Sequence, residues 1–316
     1  VLVVDGLAKK FSKPFTAVHG VSFAVNQGEC LGLLGVNGAG KTTTFRMLTG
    51  DLLPSDGNAF TLGYSLRKQR DRYLSCVGYC PQGDGLNESL TGYETLTLFA
   101  CLRGVQPSEI KTTVKNWIYF LGLQEYAHKP CGIYSGGNKR KLSTGISLIG
   151  LPLLVCLDEP TSGVDPVSRR KLWNVLEQSR KNGQTFVICS HSMDECEAVC
   201  TRITIMACGQ MRCIGSVQYL KHKYCQGFII YIKIKPHEES ELEEVKEQVK
   251  GYISTSCFLK DEHFGLLHYH LTDPNYKLST LFERMEDLKE RCHIIDDYII
   301  TQSTMEQVFL SFAEKV

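Results

Sequence analysis

Gly35-Val36-Asn37-Gly38-Ala39-Gly40-Lys41-Thr42 is the stretch on which the reading of this chain turns. It fits the pattern GxxxxGK[ST]. The apolar run Cys30–Leu34 precedes it, and Lys41–Thr49 reads as a helix after it, so the motif stands in the strand–loop–helix setting of a phosphate-binding loop. Glycines allow a turn tight enough for successive N–H groups to converge on phosphate oxygens, and the helix N-terminus adds partial positive charge. Lys41 is placed to reach the β- and γ-phosphates, and Thr42 to hold Mg2+ through its hydroxyl. Taken alone, the loop says only that a nucleoside triphosphate is used.

A second run completes the chemistry. Leu153–Leu157 is continuously apolar and ends in Asp158-Glu159-Pro160. A carboxylate at the end of a buried strand suits a Mg2+ ion, and the next one suits the attacking water: one group on the metal, one on the nucleophile. A strand-end Asp-Glu-Pro turn without chemistry would be the simpler reading if the phosphate loop were missing.

Outward from these two motifs the chain alternates. Val1–Val4, Gly20–Val25, Cys76–Cys80, Thr185–Ser190 and Arg202–Ala207 read as strands. Gly92–Leu102, Ile110–Leu121, Asn138–Ser147, Ser168–Lys181 and Met193–Thr201 read as helices, and Asp51–Gly57 as a turn region. Short apolar strands between helices predict an α/β core with a buried parallel sheet. After about Ser216 the pattern changes. Phe228–Lys235, Cys257–Lys260, Leu266–Leu271 and His293–Thr301 read as strands, with amphipathic helices over 237–253 and around Leu278–Leu288, a βαββαβ order of ferredoxin-like type. The boundaries drawn are 1–215, with a helical part at about 85–150, and 216–316. Thr304–Ala313 reads as a final helix.

Size and composition bound the function. The chain has 316 residues, 43% hydrophobic and 22% charged, as expected of one large globular domain or two. Lys plus Arg is 35 against 34 for Asp plus Glu, a net charge of +1, which does not support a nucleic-acid-binding stripe. There are 14 cysteines without any CxxC pair; Cys156, Cys189 and Cys208 lie in apolar runs, predicting buried free thiols in a reducing compartment. No stretch reaches the ~18 apolar residues that cross a bilayer; Ile146–Leu157 is broken by Ser147, Gly150 and Pro152. The chain starts at Val1 and enters a strand at once, so it is expected to be a segment of something longer, with any membrane-spanning part elsewhere.

Tyr134-Ser135-Gly136-Gly137-Asn138, between the phosphate loop and the acidic strand, resembles the LSGGQ signature of the ABC ATPases. The companion motifs stand in the family's order: Gln82 after Gly78-Tyr79-Cys80-Pro81 at the Q-loop, Asp165 in Ser162-Gly163-Val164-Asp165 at the D-loop, and His191 in Cys189-Ser190-His191-Ser192 at the H-loop. Phe11 stands where the family places an adenine-stacking aromatic. The departures are Tyr134 for Leu, Asn138 for Gln, Gly163-Val164 for Ala-Leu and Phe11 for Tyr.

The resemblance implies an ATPase with a RecA-like core, an antiparallel β subdomain and a helical subdomain. It implies ATP held by Phe11, by Gly35, Asn37, Gly38, Ala39, Gly40, Lys41, Thr42 and Thr43 of the loop, and by Gln82. Mg2+ would be held by Thr42, Gln82 and Asp158, and catalysis carried by Glu159, His191 and Lys41. Two such domains pair head to tail in the family, so Ser135, Gly136, Gly137 and Asn138 would complete the site of a partner, while Asp165 marks the D-loop.

Tyr134–Ser143, Leu34–Gly40, Met47–Asp51 and Ser190–Glu197 further resemble the second nucleotide-binding domain of the A subfamily, which mostly moves lipids, and Gln307–Ala313 resembles its C-terminal motif. This implies that 216–316 is the regulatory domain. It implies partners in the transmembrane domains of the same parent chain and in the first nucleotide-binding domain with its regulatory domain. The setting would be the cytoplasmic face of the plasma membrane or of an intracellular vesicle, with membrane contact only through the transmembrane domains. A soluble ABC ATPase working on DNA or ribosomes would be expected to carry coiled coils, iron–sulfur cysteines or basic extensions, and none is visible. A regulator without hydrolysis is opposed by intact Lys41, Asp158, Glu159 and His191. Val308, Phe309 and Phe312 are read in two ways, as control of dimerisation or as packing of the tail's own core.

Overall fold

The computed structural model describes residues 1–12, 15–83, 85–224, 227–235, 239–254, 256–263, 265–273, 276–302 and 309. The chain separates into a compact unit over Val1–Val217 and another over Gln218–Ser311.

In the first unit, β1 (Leu2–Ser12) and β2 (Phe15–Val25) form a hairpin, and β3 (Cys30–Gly35) runs through the glycine loop into α1 (Lys41–Leu48). Next come β4 (Asp56–Thr61), β5 (Tyr64–Ser65), α2 (Arg70–Ser75) and β6 (Val77–Cys80). Three longer helices, α3 (Gly92–Leu102), α4 (Pro107–Phe120) and α5 (Gly136–Leu148), precede β7 (Leu154–Asp158). The unit continues with α6 (Pro166–Lys181), β8 (Thr185–Ser190), α7 (Met193–Val199), β9 (Arg202–Ala207) and β10 (Gln210–Ser216), and α8 (Val217–Tyr224) follows.

The central sheet has the order β10-β9-β3-β8-β7-β6, parallel except where β10 returns antiparallel to β9. Every residue of β3, β7 and β8 is buried, which is why these segments are continuous apolar runs: helices or a second sheet cover both faces. A smaller antiparallel sheet, β2-β1-β4-β5, lies on the same core, and Leu2, Val4, Leu7, Val18 and Val21 share one buried cluster with Leu31, Leu33, Phe45 and Leu154.

Three features differ from expectation. The first two strands extend to Ser12 and back from Phe15, well beyond Val1–Val4 and Gly20–Val25, because register shifts along the pair interrupt the alternation that marks a strand in sequence. The Asp51–Gly57 turn region ends in β4, whose polar Asp56 and Asn58 are paired through their backbones with β1. Cys208 is exposed rather than buried: with Gly209 it forms the β9–β10 turn, at φ 46° and 69°. Cys156 and Cys189 are buried.

The second unit is built from β11 (Phe228–Ile234), α9 (Glu239–Tyr252), β12 (Cys257–His263), β13 (Leu266–Leu271), α10 (Leu278–Arg291) and β14 (Ile295–Gln302). Its sheet has the order β12-β13-β11-β14, antiparallel throughout, which is the ferredoxin-like arrangement. Alternate residues Ile230, Ile232, Leu267, Tyr269 and Leu271 meet Val245 and Val249 of α9 and Leu281, Met285 and Leu288 of α10 in one closed core. The tail motif Gln307–Ala313 lies outside the described residues except for Phe309. No helix among the described residues is long and apolar enough to cross a membrane.

Candidate functional site

Adjacent parallel strands β3, β8 and β7 bring three chain segments together at their C-terminal ends: the glycine loop, His191 and Glu159. In an open α/β sheet this edge is where ligands bind. The loop's shape depends on two residues that only glycine suits. Gly38 and Gly40 have φ of 82° and 97°, and a Cβ on Gly40 would lie 2.6 Å from the Ala17 carbonyl oxygen. Ala39 donates its N–H to Val36 within the loop (3.1 Å) and accepts from Gly209 (3.0 Å), so the loop leans on the β9–β10 turn. Asn37 and Gly38 remain exposed, as does Thr42 in the first turn of α1, whereas Thr43 is half-buried. Lys41 is buried, and its Nζ donates to the carbonyls of Gly35 (2.5 Å) and Val36 (3.0 Å).

Asp158 closes β7 and is only 2% exposed. Its Oδ2 is buried without a hydrogen-bond partner. Burial raises its pKa above the ordinary carboxylate range, helped by the charge of Glu159, while the Cys189 thiol, Arg140 and Lys41 pull the other way. A buried, unpaired carboxylate oxygen beside a second carboxylate fits a divalent cation better than it fits a structural role. Among the described residues no group of three His, Cys, Asp or Glu side chains could hold a metal alone, which suits an ion that takes its other oxygens from a hydroxyl, from phosphates and from water.

Glu159 follows at φ 50°, a left-handed backbone unusual for a residue with a side chain. Its N–H donates to the Cys189 carbonyl (2.9 Å), and its Oε1 lies 3.0 Å from His191 Nδ1. His191 is 63% exposed and Glu159 15%, so this pair sits at the mouth of the site.

Phe11 is half exposed on the first hairpin, with the Lys9 ammonium 5.5 Å from its ring centroid. It stacks on Phe15, centroids 6.5 Å apart, and Phe15 is 60% exposed. Sequence reading missed Phe15, whose role depends on the hairpin pairing that brings it beside Phe11.

The remaining predicted residues form a second group. Ser135 is the N-cap of α5, its Oγ accepting from the Asn138 N–H at 3.3 Å, and Asp165 is the N-cap of α6, accepting from the Ser168 N–H at 2.9 Å. That bond holds the Asp165 carboxyl below its usual range. A Cβ on Gly137 would lie 3.4 Å from the Gly163 carbonyl, so signature and D-loop are neighbours. Ser135, Gly136 and Asp165 are exposed; Gly137 and Asn138 are half-buried.

Tyr134 explains one departure from the family pattern. Its hydroxyl donates to the Tyr126 carbonyl (2.5 Å) and occupies the space a Cβ on Gly92 would need, 2.4 Å away. Burial pushes this phenol up to about 12, so it remains a donor at ordinary pH. Val164 is buried, as an apolar residue of the D-loop should be. Gln82 is exposed, and its carbonyl accepts from Arg140 at 3.1 Å. Glu195, which sequence reading passed over, is buried and accepts from the Thr161 hydroxyl at 2.8 Å, tying the helix after His191 to the chain after Glu159.

Residues 18–162 match the sequence family described as ABC transporter, and residues 225–302 match the ABCA1-like, C-terminal R1 regulatory domain. The chain is 45% identical over 317 residues to the phospholipid-transporting ATPase ABCA3 of Rattus norvegicus, covering 99% of this chain and 18% of that protein. It is 46% identical over 303 residues to the retinal-specific phospholipid-transporting ATPase ABCA4 of Homo sapiens, covering 95% of this chain and 13% of that one. Among solved structures, the ATP-binding subunit of an ABC transporter superposes with a TM-score of 0.66 at 25% identity, over 71% of this chain and 93% of its own. A dimeric ATP-binding cassette with ADP and Pi bound superposes at 0.63 and 18% identity, over 68% and 98%, a likeness of fold.

Proposed function

Since the chain belongs to the ABC transporter family, as an A-subfamily nucleotide-binding domain joined to an R1-type regulatory domain, we propose that it is the second ATPase motor of a lipid-moving membrane transporter, facing the cytoplasm. The observation that carries this reading is the convergence of Lys41, Asp158, Glu159 and His191 at the C-terminal ends of three adjacent strands.

The residues divide the work. Loop N–H groups and the α1 N-terminus receive the phosphates. Lys41 exchanges the Gly35 and Val36 carbonyls for the more negative phosphate oxygens. Phe11, with Phe15 behind it, offers a face to the adenine ring. Thr42, Gln82 and Asp158 would hold Mg2+, which supplies charge neutralisation at the phosphates. Glu159 orients the water and accepts its proton, and His191, in contact with Glu159, faces the γ-phosphate. Ser135, Gly136, Gly137, Asn138 and Asp165 serve the nucleotide of the other motor in a head-to-tail pair, the first nucleotide-binding domain of the same protein. The domains are 1–215 for the motor and 216–316 for regulation, with transmembrane domains on the same parent chain.

The test is nucleotide binding by the purified chain and by Lys41→Ala. The proposal expects saturable Mg-ATP binding that Lys41→Ala weakens by at least about 10-fold, the value of one charge-assisted contact. Equal binding by the two would overturn it.

A further inference from the structure

Arg140 lies in α5, just beyond the signature residues, and is 3% exposed. Its guanidinium is spent on main-chain oxygens of two other segments. Nε and Nη2 donate to the Glu159 carbonyl at 2.9 and 2.7 Å, and Nη2 also donates to the Asp158 carbonyl. Nη1 donates to the Gln82 carbonyl at 3.1 Å and to the Pro81 carbonyl. Among the described residues it forms no ion pair with a carboxylate. A buried cation that costs desolvation and spans two loops fixes their relative position.

Glu159 needs such a fixture. Its φ of 50° is a strained backbone for a residue with a side chain and persists only where surrounding contacts over-determine it. Here β8 holds its N–H through the Cys189 carbonyl, and Arg140 holds its C=O. With both flanking peptides pinned, the carboxylate is aimed at His191.

We propose that Arg140 is a positioning residue of the hydrolytic site: it holds Glu159 in its left-handed posture and makes that posture depend on the Gln82 loop. The inference rests on the reading of Glu159 as the residue that handles the water. Nucleotide contacts are made by other side chains, so Arg140 governs the rate of hydrolysis and not the affinity for ATP. Only a planar fork with donors on three nitrogens reaches all four carbonyls; a lysine carries the charge on one atom.

The experiment compares Arg140→Gln and Arg140→Lys in the intact parent protein, each with and without Glu159→Gln, measuring kcat, KM for Mg-ATP and equilibrium ATP binding. Both single variants are expected to lose about 100-fold in kcat, as for a misplacement of the reacting groups, with KM and binding unchanged and no rescue by Lys. Neither should lower the residual rate of Glu159→Gln further, since the two act through one group. Full activity in Arg140→Lys, a rise in KM at constant kcat, or equal fold-losses in both backgrounds would overturn the proposal. Where Arg140→Gln does not fold, Arg140→Lys carries the same test. A parent protein whose turnover ignores Glu159→Gln sinks the functional reading itself, and the role of Arg140 with it.

Discussion

The two halves of the candidate site are built in opposite ways. The strand-end half is strained around a buried centre: Lys41 and Asp158 are 7% and 2% exposed, Glu159 sits in a left-handed backbone, and Asp158 keeps an unpaired oxygen. The helix-end half is exposed and relaxed, with Ser135 and Asp165 serving as ordinary N-caps. Strain and unpaired charge mark groups kept for chemistry; satisfied caps on an open face mark a surface that acts on something brought to it. The difference is what the proposed composite site would require, one domain binding the nucleotide and the other covering it.

Substitutions can break this comparison, and the largest effect should come from the buried half. Glu159→Gln keeps size and removes the proposed proton acceptor, so turnover is expected to fall on the order of 1000-fold with ATP binding retained. Turnover within a few-fold of the unaltered protein would mean that another group handles the water. In the exposed half, Ser135→Ala removes one hydroxyl that would face a partner's phosphate. Turnover of the paired motors should drop about 10–100-fold, while ATP binding by the isolated chain stays unchanged. Ser135→Asn preserves an N-cap, so a loss shared by both variants belongs to the hydroxyl and a loss confined to Ala belongs to the helix.

The smallest effect is on stability, and its sign is informative. Asp158 has a raised pKa because burial disfavours its charged form. The folded state therefore holds its proton more tightly than the unfolded state does. Its contribution to stability is complete below the ordinary aspartate range and is lost as pH rises through the raised value. At neutral pH the carboxylate is a net cost, and Asp158→Asn should stabilise the nucleotide-free chain by about 1 kcal/mol while impairing hydrolysis. Thermal unfolding at neutral pH and at pH 4 checks this, the gain being expected to shrink at the lower pH. Destabilisation at neutral pH would mean that the carboxylate is held by contacts worth more than its burial costs.

Legibility followed the locality of the signal. The Cys30–Leu34 run, the glycine loop and the Leu153–Asp158 strand carry their evidence in neighbouring residues, and the structure sets their ends side by side. The outer parts of β1 and β2 and all of β4 are obscure because bulges and polar residues erase strand periodicity, leaving backbone pairing, which has no sequence signature. Arg140 was invisible for a related reason. Its partners are carbonyls, so no complementary side chain announces it. Glu195 has no local signal either, because the Thr161 hydroxyl that it holds is 34 residues away in the chain. In the second unit, helical and strand periodicities stood out because a small closed core forces them, yet no residue there declares a chemistry.

The most direct test of the half-site account is ATP turnover by the isolated chain as the other nucleotide-binding domain of its parent protein is titrated in. The account predicts a negligible rate for the chain alone at any concentration, rising to saturation at one partner per chain and abolished when the chain carries Glu159→Gln. Full turnover by the solitary chain, unaffected by the partner, would contradict it.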